Sequence, residues 1–306
     1  MGGRGIAVWD TGGVTDPSAA SPTSPYAGHS AVVFGGTSGI GAATAIVLAE
    51  RGAAVTVVGR EAVDGEEIAR QCRAVGARAV FVHADIVDDA QVHHAVRAAV
   101  EEHGPLTMAA NVAGIDISAP LTELTEHDYE QLFSVNTGGM WRCLKHEITA
   151  MCETGHGSIV NVGSIAAIIP VLGNSLYGAT KAAVSSLTTS AAYEYAAAGI
   201  RVNEVVPGST RTAILDAWLA SVAGDQGLTV KDLERCVALG YLSEPREQAA
   251  AIAFLLSDEA SFITGASLVT DGGASLLSRV SPTSTGVAPD TPGDVVARAR
   301  RTPPPT

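Results

Sequence analysis

The chain has 306 residues, of which 46% are hydrophobic and 17% are charged, so its composition is that of a globular protein rather than a disordered one. Acidic residues outnumber basic ones by 32 to 19, and the net charge of −13 excludes nucleic acid as an expected partner, because it would repel a phosphate backbone. The four cysteines are scattered without a CxxC pair and no grouping of metal ligands is apparent, so we expect free thiols and no metal site.

Both ends of the chain are rich in Gly, Pro, Ser and Thr and carry few large apolar side chains. We expect 1–28 to form a flexible N-terminal extension and 276–306 a Pro/Ser-rich tail, on either side of one catalytic domain at 29–275. No apolar run approaches the ~18 residues that span a bilayer. No secretory signal is visible either, so we predict a cytoplasmic protein that has no membrane partner.

Strand-like and helix-like segments alternate regularly along this domain. The predicted strands lie at 31–34, 54–58, 79–82, 106–110, 158–162, 201–206 and 267–269. The predicted helices lie at 42–51, 66–75, 88–103, 128–153, 175–198, 213–222, 229–239 and 245–257. This alternation predicts a single α/β domain of Rossmann-like type, with a doubly wound parallel sheet and helices on both faces. The mixed apolar and polar segment at 213–243 is expected to form a substrate lid.

A glycine-rich turn follows the first predicted strand and opens the first helix. It consists of Gly35, Gly36, Thr37, Ser38, Gly39, Ile40 and Gly41. Glycines let backbone N–H groups approach an anion, and a helix N-terminus adds partial positive charge, so the turn predicts a diphosphate site. The alternative is that the glycines serve packing alone, since the spacing G-x-x-x-G-x-G is neither the usual dinucleotide fingerprint nor a P-loop.

The second predicted strand ends at Gly59 and Arg60, where the adenosine ribose binds in a dinucleotide fold. Gly59 supplies no carboxylate for a 2′-hydroxyl, whereas Arg60 supplies a cation suited to a 2′-phosphate. We therefore favour NADP(H) over NAD(H), with a plain surface role for Arg60 as the alternative.

Tyr177 and Lys181 are four residues apart in a predicted helix and project from one face, while Ser164 follows the preceding strand. A phenol has an ordinary pKa of about 10. A neighbouring Lys cation and an oxidised nicotinamide would lower it, so Tyr177 could exchange a proton with a carbonyl or alcohol oxygen. Ser164 could donate to the developing oxyanion. The pattern therefore predicts hydride transfer between a nicotinamide and a carbonyl centre.

Further motifs follow in order. They are Asp85-Ile86, Asn111-Val112-Ala113-Gly114, Asn136, Pro207-Gly208 with Thr210 and Thr212, Thr264-Gly265 and Asp271-Gly272-Gly273. With the glycine-rich turn and the Ser, Tyr and Lys, they resemble the single-domain short-chain dehydrogenase/reductases over most of 29–275. The segments 201–208 and 243–273 resemble the branch that includes cyclic alcohol and diol dehydrogenases and ketoreductases. Phe34 and Val112 depart from the family pattern at positions that are mainly structural.

The resemblance implies roles for these residues. Asn136, Ser164, Tyr177 and Lys181 would be the catalytic set, with Asn136 keeping a water in a proton relay. The nucleotide would be bound by the turn residues Gly35, Thr37, Ser38, Gly39, Ile40 and Gly41 and by Arg60, Asp85, Ile86, Asn111, Ala113, Gly114, Tyr177, Lys181, Pro207, Gly208, Thr210 and Thr212. Asp85 would approach the adenine, Lys181 would hold the nicotinamide ribose, and Thr212 would lie beside the nicotinamide amide.

Three functions are compatible with these residues. The first is an NADPH-dependent reductase of a cyclic or polyketide-like ketone, and the second is an NAD-dependent dehydrogenase of a cyclic secondary alcohol or diol. The third, a nucleotide sensor without turnover, is opposed by the intact catalytic set. The family is usually tetrameric or dimeric through its two long helices, here near 126–153 and 175–198, so the resemblance also implies a homo-oligomer.

Overall fold

The computed structural model describes residues 24–221 and 227–276. The strands are β1 (Ser30–Phe34), β2 (Ala54–Gly59), β3 (Ala79–His83), β4 (Met108–Asn111), β5 (Gly157–Val162), β6 (Ile200–Pro207) and β7 (Ser267–Thr270). The helices are α1 (Gly39–Glu50), α2 (Ala62–Ala74), α3 (Asp89–His103), α4 (Glu126–Leu132), α5 (Met140–Cys152), α6 (Ser175–Tyr195), α7 (Ala213–Ala220), α8 (Val230–Arg235) and α9 (Pro245–Leu256). Among these described helices, none is long and apolar enough to cross a membrane.

The seven strands form one parallel sheet in the order β3-β2-β1-β4-β5-β6-β7. Successive residues of β1 point to opposite faces: Ala31 and Val33 pack against α1, α2 and α9, whereas Val32 and Phe34 pack against α3, α5 and α6. A strand that is covered on both sides is apolar at nearly every position, which is why 31–34 of β1 form a continuous apolar run. The predicted doubly wound α/β fold with helices on both faces is confirmed.

The strand order reverses at β1, which lies between β2 and β4. The connections on the two sides of this point diverge to opposite faces of the sheet, so a crevice opens at the carboxyl ends of β1 and β4. The glycine-rich turn follows β1 and the segment from Val112 onward follows β4, so both predicted motifs lie at this crevice.

The predicted helix at 128–153 consists of three pieces that follow one another without a break: α4, a π-helix at Phe133–Gly139, and α5. A capping box begins α4, in which Thr125 and Asp128 exchange hydrogen bonds. π-Helical turns widen the backbone and often mark functional sites. Asn136 lies in the π-helix with its side chain buried.

The packed part of the chain begins earlier than predicted. Tyr26, which we had placed in the flexible extension, is 2% exposed, and its hydroxyl donates a 2.6 Å hydrogen bond to the Ala253 carbonyl of α9. Tyr26 is a single aromatic residue in a segment rich in Gly, Ser and Pro, so no hydrophobic periodicity in the sequence predicts its burial between α1 and α9. The rest of the two predicted terminal segments, at 1–23 and 277–306, lies outside the described residues, as does 222–226 of the predicted lid.

Candidate active site

The turn between β1 and α1 forms a backbone cradle at the crevice. Gly35 has a φ of +78°, and a Cβ there would lie 2.6 Å from the backbone nitrogen of Ala113, so only glycine fits. Ser38 is the N-cap of α1, but its side chain makes no capping hydrogen bond. The first amides of α1 are therefore available to an anion, and the partial positive charge of the helix N-terminus favours a diphosphate there.

A cavity of about 1180 Å³ includes this turn and lies along the carboxyl edge of the sheet. It exceeds the roughly 300–1,000 Å³ of most ligand pockets, so it has room for a dinucleotide together with a small substrate. Most of the predicted site residues line it: Gly35, Thr37, Ser38, Gly39, Ile40, Arg60, Asp85, Ile86, Ala113, Gly114, Ser164, Tyr177, Lys181, Pro207, Gly208, Thr210 and Thr212. The fit to a dinucleotide therefore rests on a glycine cradle and a cavity of sufficient size.

The adenosine end of the cavity carries both the predicted cation and a carboxylate. Arg60 Nη1 lies 3.9 Å from Asp85 Oδ2, and 60% of the Arg60 side chain is exposed. A Cβ on Gly59 would lie 2.5 Å from Thr37 Cγ2, so Thr37 occupies the space that an acidic side chain at position 59 would need. The ion pair between Arg60 and Asp85 was not predicted, because contacts between strand ends depend on the strand order.

The predicted catalytic side chains meet at the other end of the cavity. Lys181 Nζ donates a 2.8 Å hydrogen bond to the Val162 carbonyl and lies 5.8 Å from the centre of the Tyr177 ring. One residue separates Ser164 from the end of β5. The Ser164 Oγ accepts a 3.1 Å hydrogen bond from the Ala166 amide at the start of a short 3-10 helix. The predicted loop from β5 back to the α6 face thus brings the serine to the tyrosine.

The electrostatic environment of these groups differs from the prediction in one respect. Burial and the negative charge of Asp116 raise the pKa of Tyr177 to about 12, although a hydrogen bond with Ser164 acts in the opposite direction. The sequence pattern predicts instead that Lys181 lowers this pKa. In the protein alone its ammonium is directed to Val162 rather than to the phenol oxygen, and burial lowers the pKa of Lys181 to about 8 against the opposing effects of Glu204 and Asp116.

Three predicted site residues do not line the cavity: Gly41, Asn111 and Asn136. Asn111 Nδ2 donates instead to Glu147 Oε2 at 2.9 Å and to Asn161 Oδ1 at 3.0 Å, so the side chain links β4 to β5 and α5. The side chain of Asn111 therefore has a structural role, and the implied part of Asn111 in nucleotide binding stays a prediction. A side chain at the end of a buried strand can face the sheet or the crevice, and the motif alone does not distinguish the two.

Asn136 joins the π-helix to the segment after β4. Its Oδ1 accepts a 2.9 Å hydrogen bond from the Ile115 amide, and its Nδ2 donates to the Ile115 carbonyl at 2.9 Å and to Thr180 Oγ1 at 3.1 Å. All of these partners belong to the protein, so the side chain positions the backbone beside the cavity. The relay role implied by the resemblance stays a prediction.

Two carboxylates near the catalytic residues were missed by the sequence analysis. Asp116 lines the cavity, and Glu204 is buried beneath it in β6. The only signal for Asp116 was its place just after Ile115, and Glu204 resembled an ordinary polar interruption of an apolar strand. Ile115, Ala166 and Asn174 also line the cavity, whereas Gly173 and Leu176 do not.

One group of residues that line the cavity is apolar, and we call it the apolar wall. Its main side chains are Ile169, Val171, Leu172, Ile214, Leu215 and Trp218. The Trp218 indole donates a 3.1 Å hydrogen bond to the Leu172 carbonyl, which ties α7 to the loop before α6. Such a wall can accommodate an apolar ring and can exclude water from a site of hydride transfer.

This geometry can be compared with known proteins. The family model described as Enoyl-(Acyl carrier protein) reductase matches residues 35–275. A solved "short chain dehydrogenase/reductase family protein" shares 37% identity with a TM-score of 0.71, covering 83% of this chain and 100% of that one. The chain belongs to the short-chain dehydrogenase/reductase family. It is therefore an NAD(P)-dependent oxidoreductase that acts on the CH–OH/C=O pair, as the resemblance implied.

Within this family, several similar proteins are named for compounds that contain a ring. A Cis-4-hydroxycyclohexanecarboxylate dehydrogenase of Sinomonas cyclohexanicum is 43% identical over 249 residues, which are 81% of this chain and 97% of that protein. An A-factor type gamma-butyrolactone 1'-reductase (1S-forming) of Streptomyces virginiae is 37% identical over 249 residues, covering 81% and 95%. The crystal structure of Levodione Reductase has a TM-score of 0.78 and 30% identity, covering 83% of this chain and 100% of its own.

Proposed function

We propose that this short-chain dehydrogenase/reductase interconverts a cyclic ketone and the corresponding cyclic secondary alcohol, with NADP(H) as the preferred nucleotide. The observation that carries the proposal is the meeting of Ser164, Tyr177 and Lys181 at one end of a cavity whose other end is a glycine cradle. The apolar wall supports a ring as substrate, and the names of the similar proteins, which include dehydrogenases and reductases of cyclic compounds, support the same class.

The side chains account for the proton and for the developing charge. When bound, the nicotinamide supplies or accepts the hydride at the carbinol carbon. In the reductive direction, Tyr177 Oη donates a proton to the substrate oxygen as its negative charge develops. The Ser164 hydroxyl donates a hydrogen bond to the same oxygen, and the positive charge of Lys181 stabilises the phenolate that remains. In the oxidative direction the phenolate takes the proton back, so hydride and proton balance in both directions.

The mechanism is tested with Tyr177→Phe, which removes the hydroxyl and keeps the ring. We expect kcat/KM for a cyclic ketone to fall by roughly 10²-fold or more, with nucleotide binding retained in a fluorescence titration. Tyr241→Phe is the control, because that hydroxyl is on the surface and bonds only to Glu247. Turnover by Tyr177→Phe at the wild-type rate would refute the proposed mechanism.

The nucleotide preference is proposed from the adenosine end of the cavity. Arg60 offers a charge for a 2′-phosphate, and Thr37 fills the space of an acid at position 59 that would bind a 2′-hydroxyl. Arg60→Ala should raise the KM for NADPH by roughly ten-fold and leave the KM for NADH nearly unchanged. Only NADPH carries the 2′-phosphate, so only NADPH loses a charge-assisted hydrogen bond to Arg60. Arg70→Ala, on the surface of α2, is the control. Tighter binding of NADH by the wild type would overturn this choice.

The alternative function is an NAD-dependent dehydrogenase of a cyclic alcohol or diol. It is favoured by the position of Asp85 at 3.9 Å from Arg60, because a neighbouring carboxylate weakens the attraction of that cation for a phosphate. A 2,5-dichloro-2,5-cyclohexadiene-1,4-diol dehydrogenase LinX of Sphingobium indicum is 36% identical over 250 residues, which are 82% of this chain and 97% of that protein. Parallel titrations with NADP and NAD distinguish the two functions.

We also propose that the protein assembles as a homo-oligomer through α4, α5 and α6. Three large side chains on these helices are exposed in the single chain: Tyr129 (45%), Trp141 (50%) and Tyr193 (89%). Aromatic side chains of this kind are enriched at interfaces. Sedimentation of the wild type should show a dimer or tetramer that Trp141→Glu weakens, and a monomer at micromolar concentration would contradict the proposal.

A further inference from the structure

The largely apolar pocket beside Tyr177 contains a carboxylate whose role the proposed chemistry leaves open. Asp116 follows β4 by five residues and lines the cavity together with Tyr177 and Lys181. Its negative charge raises the pKa of both Tyr177 and Lys181, so it lies close enough to act on both of them. A substrate whose carbinol oxygen meets Tyr177 can therefore place another part of its ring near this carboxylate.

The carboxylate is held by neighbouring side chains and backbone. Asn174 Nδ2 donates to Asp116 Oδ1 at 2.7 Å, and Ser118 Oγ donates to Asp116 Oδ2 at 2.8 Å. Asn174 is 6% exposed, is the N-cap of α6, and also donates to Ser118 Oγ at 3.3 Å. On the other side, Asn136 fixes the backbone of Ile115. Asp116 is therefore held against the N-terminus of α6, the same helix end that carries Tyr177.

The held carboxylate still has capacity to bind. An ionised carboxylate offers about four acceptor positions, and Asn174 and Ser118 occupy one on each oxygen. A carboxylate accepts hydrogen bonds but donates none, so its complement in a ligand is a hydrogen-bond donor, which in the proposed class of cyclic alcohols is a second hydroxyl group. A carboxylate on the ligand would instead meet a like charge in a partly dehydrated pocket, where such repulsion is strong.

The cations of the pocket do not offset this repulsion. Arg211, in the segment after β6, pairs with Glu234 at 2.9 Å and with Glu244 at 3.2 Å. Arg235, at the end of α8, pairs with Asp232 at 2.8 Å. Lys181 donates to the Val162 carbonyl beneath the cavity. Each of these cations already has an acceptor within the protein, so an anionic substituent on the substrate would have to compete for them.

We propose that Asp116 is the specificity-determining residue of this pocket: it accepts a hydrogen bond from a second hydroxyl group on the substrate ring and excludes rings that carry a carboxylate. The proposal rests on the proposed function and narrows its substrate class to uncharged cyclic diols and hydroxyketones. It also separates this protein from the Sinomonas relative, which is named for a ring carboxylate.

The test compares three alcohols that differ only in the group opposite the reacting carbon: 1,4-cyclohexanediol, cyclohexanol and 4-hydroxycyclohexanecarboxylate. With wild-type protein and saturating NADP, or NAD if that binds more tightly, we expect the largest kcat/KM for the diol. The kcat/KM for the carboxylate should be at least roughly ten-fold lower, because the diol gains a charge-assisted hydrogen bond to Asp116 whereas the carboxylate is repelled by it. A wild type that oxidises the carboxylate as well as the diol would overturn the proposal without any variant.

The variant Asp116→Asn removes the charge and keeps the shape. Because a change in the acidity of Tyr177 affects all three substrates alike, the readout is the ratio of kcat/KM between substrates. We expect the ratio of diol to carboxylate to fall by roughly ten-fold or more in Asp116→Asn. Ser118→Ala, which keeps the charge and loses one donor, should retain most of the discrimination.

The outcomes separate the inference from the function on which it rests. An unchanged ratio in Asp116→Asn, with all three alcohols still oxidised, overturns the role of Asp116 and leaves the proposed function intact. If the wild type oxidises none of the three alcohols and reduces none of the corresponding ketones with either nucleotide, the proposed function fails, and the role of Asp116 fails with it.

Discussion

The carboxylate of Glu204 lies directly beneath Gly163, the residue that joins β5 to Ser164. A Cβ on Gly163 would overlap Glu204 Oε1, so only glycine permits the approach. Glu204 is fully buried, and its oxygens accept hydrogen bonds from Ser185 Oγ at 2.9 Å and Ser267 Oγ at 2.7 Å. Its negative charge raises the pKa of Lys181 and so opposes the effect of burial on that ammonium.

The first prediction concerns the charge of Lys181. Burial lowers the pKa of Lys181 to about 8, and Glu204→Gln removes a charge that counteracts this, so the ammonium loses its proton at a lower pH. Carbonyl reduction needs the ammonium, and the alkaline limb of kcat/KM should therefore move to lower pH in the variant. The measurement is the pH profile of ketone reduction between about pH 6 and pH 10, a range that lies on both sides of the Lys181 pKa of about 8.

Ser267→Ala is the matched control, because it removes a hydrogen-bond donor from Glu204 and leaves the negative charge in place. Its alkaline limb should stay close to that of the wild type. If Glu204→Gln and Ser267→Ala gave the same profile, the charge of Glu204 would have no role in keeping Lys181 protonated.

The second prediction uses Glu147, a buried acid that does not line the cavity. Burial raises the pKa of Glu147 from 4.5 to about 8, opposed only by the hydrogen bond from Asn111. The folded protein therefore keeps a proton that the unfolded chain releases, so the free energy of unfolding falls as the pH rises from 4.5 to about 8. Glu147→Gln removes this loss and should stabilise the protein by an amount that grows across that window, on the order of a few kcal/mol at its upper end.

The measurement is chemical denaturation of both proteins at pH 5 and pH 9, on either side of most of the titration. Glu153→Gln is the control, because Glu153 is exposed at the end of the same helix. A stabilisation by Glu147→Gln that is equal at both values of pH would show that Glu147 is not the titrating group.

The fold and the site were predictable to different extents, for physical reasons. Strands buried on both faces are apolar at nearly every position, so β1 and β2 were visible in the sequence. Tyr177 and Lys181 share one helix, so their i, i+4 spacing alone placed them on one face. The order of the motifs along the chain then led to the family.

What the sequence did not reveal depends on contacts between distant segments. Asp116 becomes a pocket residue only because Asn174 and Ser118 hold it beside α6, and no local pattern announces such a pair. Glu204 is tolerated in an apolar strand because serines from α6 and β7 solvate it. Tyr26 has its hydrogen-bond partner in α9, more than two hundred residues later. Each of these requires the three-dimensional register of the sheet.

The third prediction concerns the early start of the packed domain. Tyr26 Oη donates to the Ala253 carbonyl at 2.6 Å and accepts from Arg51 Nη1 at 3.0 Å. Tyr26→Phe keeps the buried ring and loses these bonds, so we expect a decrease of about 1 kcal/mol in the free energy of unfolding. Tyr241→Phe, an exposed tyrosine with a surface hydrogen bond to Glu247, should change it much less. Equal stability of Tyr26→Phe and wild type would show that the Tyr26 hydroxyl does not help to anchor the chain.

The last prediction concerns Asn136, which we assign to positioning the backbone at Ile115. Asn136→Ala removes three hydrogen bonds and leaves both polar groups of Ile115 without that partner, which typically costs about 1–3 kcal/mol. The segment that carries Asp116 should then become more mobile, so we expect KM for the cyclic substrate to rise as well as stability to fall.

Amide hydrogen exchange distinguishes this local effect from a general loss of stability. The Ile115 amide bonds to Asn136, whereas the preceding amides of Val112 and Ala113 bond to the Phe34 carbonyl at 2.9 and 3.0 Å. In Asn136→Ala the exchange of Ile115 should accelerate far more than that of Val112 and Ala113, because only Ile115 loses its acceptor. Equal acceleration of all three amides would mean that the variant merely unfolds more often, and that Asn136 does not position this segment.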